Sequence, residues 1–162
     1  MTTNPVVPTA PLLRLPGEAP RAQMGTSSSV FLLTGRESGG RLGVFEIELM
    51  PGAPGATLHQ HLHLAETFYV LEGTVALRLE HDSINAPVGS LMFVPPLTAH
   101  AFSNPFAVPA RVLLMFTEPG EREAFFEGLA RYASGEHLPS PEAAAAFFAH
   151  FDQYPVSESS GQ

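Results

Sequence analysis

Over residues 41–50 apolar and polar positions alternate with a period of two: Phe45, Ile47 and Leu49 fall on one side, Glu46 and Glu48 on the other. Successive side chains of a β-strand point to opposite faces, so this stretch reads as a strand with one buried and one wet face. A strand over 28–34 precedes it, and the intervening G-R-E-S-G-G carries enough glycine to close a hairpin. The alternation returns over 66–71 and over 74–80, where Val75, Leu77 and Leu79 face away from Thr74, Ala76 and Arg78. Glu72-Gly73 between them predicts a second hairpin. If Glu66 points inward, Phe68 and Val70 follow it. Residues 81–85 read as a polar turn or short strand, with His81 solvated beside Asp82. Further strands are expected at 91–94, at 100–104 with His100, Phe102 and Asn104 on one face, and at 111–117, whose apolar run 112–116 suits burial on both faces. Short strands separated by turns predict an all-β sandwich or barrel, and alternation alone does not separate a barrel interior from the space between two sheets.

The period changes after Pro119-Gly120. Phe125, Phe126, Leu129 and Tyr132 recur at helical spacing, which predicts a helix over 121–133 with Glu121 and Glu123 at the positive end of its dipole. A second helix is expected over 141–151, with Ser140 as N-cap, proline in the first position, and Phe147, Phe148 and Phe151 as its apolar stripe. Such stripes pack on the barrel or on a partner subunit, or form a lid over the barrel mouth. Five prolines within residues 1–23 predict an extended or disordered arm. The expected layout is an arm over 1–27, a β-barrel over 28–118, a helical segment over 119–155 and a frayed tail over 156–162. The arm and the number of aromatic rings predict a homodimer.

Composition narrows the chemistry. At 162 residues the chain suits one domain. It has no cysteine, which excludes disulfides, thiolate metal sites and cysteine nucleophiles. All eight basic residues are arginine, so Schiff-base chemistry and a phosphate-loop lysine are excluded too. The net charge of −8 and the scattered arginines argue against a nucleic-acid surface. The N-terminal M-T-T-N-P-V-V-P-T-A-P has neither a basic start nor an uninterrupted apolar core, so no signal peptide or membrane span is expected and a cytoplasmic protein is the default.

Against that background the stretch H-Q-H-L-H-L-A-E, residues 59–66, stands out. His59 and His61 lie two apart and, on a strand, aim both imidazoles at one point. Imidazole and carboxylate together suit Fe, Mn, Ni, Co, Cu or Zn rather than calcium or magnesium. A second stretch, G-S-L-M-F-V-P-P-L-T-A-H-A-F-S-N over 89–104, joins it. The two fit paired motifs, H-x-H-x4-E-x6-G as His59, His61, Glu66 and Gly73, and G-x5-P-x4-H-x3-N as Gly89, Pro95, His100 and Asn104. In these motifs the chain resembles the small single-domain cupins, over roughly residues 41–117, and among them the quercetin-dioxygenase-like members. The resemblance implies a jelly-roll-like β-barrel, followed here by the C-terminal helices, and one divalent transition metal on His59, His61, Glu66 and His100, with Glu66 also the candidate catalytic residue.

There are two departures from the pattern. Where the family has P-x-G the chain has Pro95-Pro96-Leu97, so the turn is expected to be built without glycine's freedom at positive φ. Where the family has a glycine six positions before its first histidine the chain has Ala53, while Gly55 stands six before His61. His63 is left over, free to line the pocket, to act as an alternative ligand or to face solvent, and it joins Phe68, Phe102, Phe45 and Ile47 as the pocket candidates. Three neutral imidazoles and a carboxylate around a divalent ion leave a net charge of +1 and, in an octahedral shell, two open positions. This favours a small anionic oxygen ligand and suits an oxygen-dependent oxidoreductase acting on an enol or aromatic substrate. The same fold also serves isomerases, cyclases, decarboxylases and binding proteins. A sugar-nucleotide epimerase would be expected to offer a basic phosphate pocket, which the scattered arginines argue against.

Overall fold

A computed structural model describes residues 8, 10–80, 82–136 and 140–157. Eleven strands and two helices follow one another: β1 (Arg21–Met24), β2 (Ser27–Leu33), β3 (Leu42–Leu49), β4 (Ala56–Gln60), β5 (Glu66–Glu72), β6 (Thr74–Leu79), β7 (Ser83–Pro87), β8 (Leu91–Val94), β9 (His100–Ser103), β10 (Ala110–Thr117), α1 (Arg122–Ala133), α2 (Pro141–His150) and β11 (Tyr154–Pro155). They form two facing antiparallel sheets, one in the order β1-β2-β3-β10-β5-β8 and one in the order β11-β4-β9-β6-β7. The chain is thus all-β, two facing antiparallel sheets followed by C-terminal helices, as the alternation predicts. Phe45, Ile47, Leu49, Phe68, Val70, Val75, Leu77, Val112, Leu114 and Phe116 fill the space between the sheets, as their alternation requires.

Several local expectations give way to tertiary structure. Glu72-Gly73 is no hairpin turn: β5 lies in the six-stranded sheet and β6 in the five-stranded one, so Gly73 is a corner where the chain changes sheets. A side chain there would come within 2.4 Å of the Pro109 carbonyl oxygen, and the residue sits at φ 70°. Strand β10 buries Ala110, Val112, Leu114 and Phe116, with the intervening residues partly exposed, so it is covered on one face and not two. Residues Arg21–Met24, inside the stretch read as an arm, pair with β2. Upstream of them, Arg14 is held to Glu37 and to the carbonyls of Phe31 and Leu32. Tyr154 and Pro155, read as the end of the helical segment, add a short strand to β4. His81 lies outside the described residues, as do residues 1–7 and 158–162 of the predicted arm and tail.

The two helices fold back on their own barrel. Phe125 and Phe126 of α1 are buried in the core, and Phe126 packs 5.0 Å, centroid to centroid, from Phe45. Phe147, Phe148 and Phe151 surround Phe125 in turn, which uses most of the rings that suggested a second subunit. Ser140 caps α2 as expected, its hydroxyl accepting from the Ala143 N–H at 3.1 Å.

Candidate metal centre

His59 is the last residue but one of strand β4 and His100 opens strand β9, and the two are direct cross-strand neighbours, with ring centroids 4.3 Å apart. His61 follows just beyond β4. Glu66 opens β5 on the opposite sheet, opposite Phe116 of β10. Four side chains from two sheets thus meet at one end of the barrel, all buried, and each offers a ligand atom within 4.8 Å of every other.

The outer ring nitrogen of each histidine settles what the inner one can do. Nδ1 of His59 donates to the Thr57 carbonyl at 2.7 Å, Nδ1 of His100 donates to the Thr98 carbonyl at 2.9 Å, and Nδ1 of His61 donates to the Asp152 carbonyl. A carbonyl only accepts, so Nδ1 carries the proton and a neutral ring presents a bare Nε2 to the centre. Two of those nitrogens stand 3.1 Å (His61) and 2.9 Å (His100) from Glu66 Oε2. A lone pair facing a carboxylate oxygen at that range is repulsive unless a proton or a cation lies between them. The titration of the group follows this logic. Burial pushes the Glu66 carboxyl up, but contacts from His100 and His61 outweigh it and hold the group well below the usual carboxylate range. Burial pulls His100 down, and the Glu66 carboxylate outweighs it and raises the ring. His59, with burial dominant, is pushed down to about 3 and stays neutral. Three imidazoles and a carboxylate wanting a positive charge are a donor set that suits a divalent transition metal.

Beside the four residues opens a cavity of about 220 Å³, lined from the barrel by Ile47, Leu49, Phe102, Leu114 and Phe116 and from the helices by Phe125, Phe126, Leu129 and Phe148. The helical stripes therefore pack on the barrel and wall the cavity at once. Of the pocket candidates, Ile47 and Phe102 reach its surface. Phe45 and Phe68 sit one layer behind, Phe45 against Phe116 and Phe126, Phe68 against His100 and Phe102. His63 is exposed and away from the cavity. The strand ends at Gln60, and the following bend is pinned by the Asp152 carboxylate, which accepts the N–H groups of Leu62, His63 and Leu64 at 2.9, 2.9 and 3.0 Å. With the period of two broken, His63 turns outward.

Two details concern the departures in the motifs. Leu97 occupies the left-handed region at φ 67° and donates its N–H to the His61 carbonyl at 2.7 Å, so the turn keeps the conformation glycine would favour and strains a leucine into it. Gly55 lines the cavity at φ 60°, and a Cβ there would come within 2.1 Å of the Phe102 carbonyl oxygen, so the requirement for glycine falls at 55 and not at 53. Asn104 is structural: its amide donates to the carbonyls of Leu49, Met50 and Val108.

Sequence reasoning passed over Arg122, Asp152 and Gln153. Arg122 lies fully buried in the cavity wall, its guanidinium 4.3 Å from the Phe125 ring centroid and 4.7 Å from that of Phe116. A signal was present, because Arg122 shares the helical spacing of Phe125, Phe126 and Leu129 and is the one charge on that stripe. Asp152 and Gln153 follow a helix without any period to mark them.

Residues 45–116 match the family model described as a cupin domain. The chain is 28% identical over 75 residues to the uncharacterized protein MJ1618 of Methanocaldococcus jannaschii, a match that covers 46% of this chain and 60% of that protein. Among solved structures it is similar to a sugar phosphate isomerase of the cupin superfamily from Silicibacter pomeroyi, with 28% identity, a TM-score of 0.55, and coverage of 66% of this chain and 75% of the other. It also resembles the polyketide cyclase RemF of Streptomyces resistomycificus, with 19% identity, a TM-score of 0.57, and coverage of 65% and 79%, a likeness of fold.

Proposed function

We propose that the chain, whose residues 45–116 match a cupin domain, is a metal-dependent, oxygen-using oxidoreductase of the dioxygenase type acting on a small enol or aromatic substrate, within a fold that hosts several chemistries. The observation that carries this reading is the cluster of three imidazoles and one carboxylate, of which His59 and Glu66 line a cavity walled by apolar and aromatic side chains. In this reading His59, His61, Glu66 and His100 hold one divalent ion, which when bound supplies a Lewis acid with open coordination positions and access to oxygen chemistry. Ile47 and Phe102, with the rings of α1 and α2, press a flat apolar substrate toward the ion and exclude water from it. Glu66, the carboxylate of the set, would accept the proton of the incoming enol or phenol.

A second reading, a non-oxidative isomerase, draws support from the similarity to the Silicibacter pomeroyi protein. The two are separated by measuring oxygen uptake and product formation with flavonols, diketones and catechols on Fe, Mn, Co, Ni and Cu forms. Oxygen consumption matched to substrate loss is expected; turnover that proceeds equally without oxygen transfers the case to the second reading. Metal content is checked beside His61→Ala, His100→Ala, and equal near-zero metal in both proteins after reconstitution ends both readings.

We keep a homodimer as part of the proposal, now on different grounds. Tyr69, Leu91 and Phe93 lie together, exposed, on the outer face of the six-stranded sheet at its β8 edge. A strictly monomeric mass by light scattering at micromolar concentration removes it.

A further inference from the structure

A buried charge ordinarily has an opposite charge against it, because taking an ion out of water is costly unless it is paired. Arg122 breaks that rule. It is 2% exposed, and burial lowers its affinity for its proton only to a pKa of about 10, so it is cationic at neutral pH. Its two hydrogen-bond partners are neutral: Nη1 donates to the Phe151 carbonyl at 2.9 Å and Nη2 to the Gln153 side-chain oxygen at 2.8 Å. Nε is buried with no hydrogen-bond partner among the described residues. The two carboxylates whose charge favours the cation, Glu66 and Asp152, are already committed, the first to His61 and His100, the second to three backbone N–H groups. An unpaired guanidinium therefore stands in the wall of an otherwise apolar cavity that also contains His59 and Glu66.

Resting on the reading of this cavity as a small-molecule site, we propose that Arg122 is its anion-recognition residue and that the ligand is a small carboxylic acid with an apolar body. The carboxylate takes the free Nε–H, the body lies against Phe102, Leu114 and Phe126, and the far end reaches His59 and Glu66. A carboxylate fits better than a phosphate, since a single guanidinium in an apolar wall, two of its five N–H groups already spent and with no lysine in the chain, would leave most oxygens of a phosphate dianion without partners. Phe151 and Gln153 hold Nη1 and Nη2, which leaves the Nε–H unspent. The two nearest rings, Phe125 and Phe116, restrict rotation of the guanidinium further.

The test uses the full chain stripped of metal with a chelator, and calorimetric titration with benzoate, its neutral isostere benzamide, and phenyl phosphate. Wild-type protein is expected to bind benzoate at least about tenfold more tightly than benzamide, the ratio a charge-assisted hydrogen bond supplies. R122Q should erase that ratio and R122K should keep part of it, in proteins whose circular dichroism matches wild type. Equal binding of benzoate and benzamide, no binding of either at millimolar concentration, a preference for phenyl phosphate, or a benzoate preference that survives in folded R122Q would each overturn the proposal. The wild-type comparison needs no variant, so a misfolded R122Q leaves it decisive. Metal uptake measured on the same preparations keeps the two ideas apart: benzoate selectivity without metal uptake upholds Arg122 and sinks the metal reading, and metal uptake without selectivity does the reverse.

Discussion

His59 and His100 each donate their outer N–H to the carbonyl two residues earlier in the chain, whereas His61 donates to that of Asp152, 91 positions away. The first two rings are oriented by the barrel that carries them. The third is oriented by the segment after α2, which strings together several contacts: the Asp152 carbonyl on His61, the Asp152 carboxylate on the bend at 62–64, Gln153 on Arg122, and Tyr154 and Pro155 on β4. The difference teaches that paired motifs can supply every ligand and still leave one of them to be aimed by a segment outside both motifs.

The largest effect should come from removing that segment. A chain lacking residues 151–162 is expected to lose about 10- to 100-fold in metal affinity, the usual effect of losing a partner that orients a ligand. Titration with a competing chelator reads this, and affinity equal to that of the full chain would mean that the barrel aims His61 unaided. A smaller effect is expected from Asp152→Asn. Burial pushes the Asp152 carboxyl up, but the three backbone N–H groups outweigh it and hold the carboxyl low. A depressed folded-state pKa stabilises the fold above the unfolded value of about 4 and loses that stabilisation as pH falls through the folded value. The stability gap between wild type and Asp152→Asn, about 1 kcal/mol or somewhat more near neutral pH, should therefore close as pH falls below about 4. Urea melts at a series of pH values check it, and a gap constant with pH would show that the carboxylate charge plays no part. The smallest effect belongs to Leu97→Gly, at the other contact on the His61 backbone. Relief of the left-handed leucine, about 1 to 2 kcal/mol, is offset in part by glycine's freer unfolded state, about 0.4 to 1 kcal/mol. A slightly raised melting temperature with unchanged metal binding is expected, and a lowered one would show that the exposed leucine side chain contributes more than its strain costs.

The barrel was legible in the sequence because each of its strands buries one face, and a period of two survives in Phe45, Ile47 and Leu49 or Glu66, Phe68 and Val70 whatever the topology. Topology itself was not legible at Gly73, since a glycine that turns a hairpin and one that turns a corner between sheets look the same in one dimension. The four candidate ligands lie within 4.8 Å of one another, strand register fixing His59, Glu66 and His100 while His61 sits just past β4 and leans on Asp152. Which of its open roles His63 takes was not legible because its orientation depends on Asp152, and Asp152 was missed because capping a distant bend leaves no period. Arg122 was visible as a charge on an apolar stripe but meaningless until the stripe was seen to wall a cavity.

The span between His61 and Asp152 also sets an order of assembly. Partners two residues away form as their strand forms, while a contact across 91 positions must wait for the intervening chain to be made and folded. During synthesis β4, β5, β9 and β10 all precede residue 152, so the barrel can close with two rings aimed and the third still free to turn. An ion arriving then would meet an incomplete set of oriented ligands, and docking of the last strand, β11, would complete it.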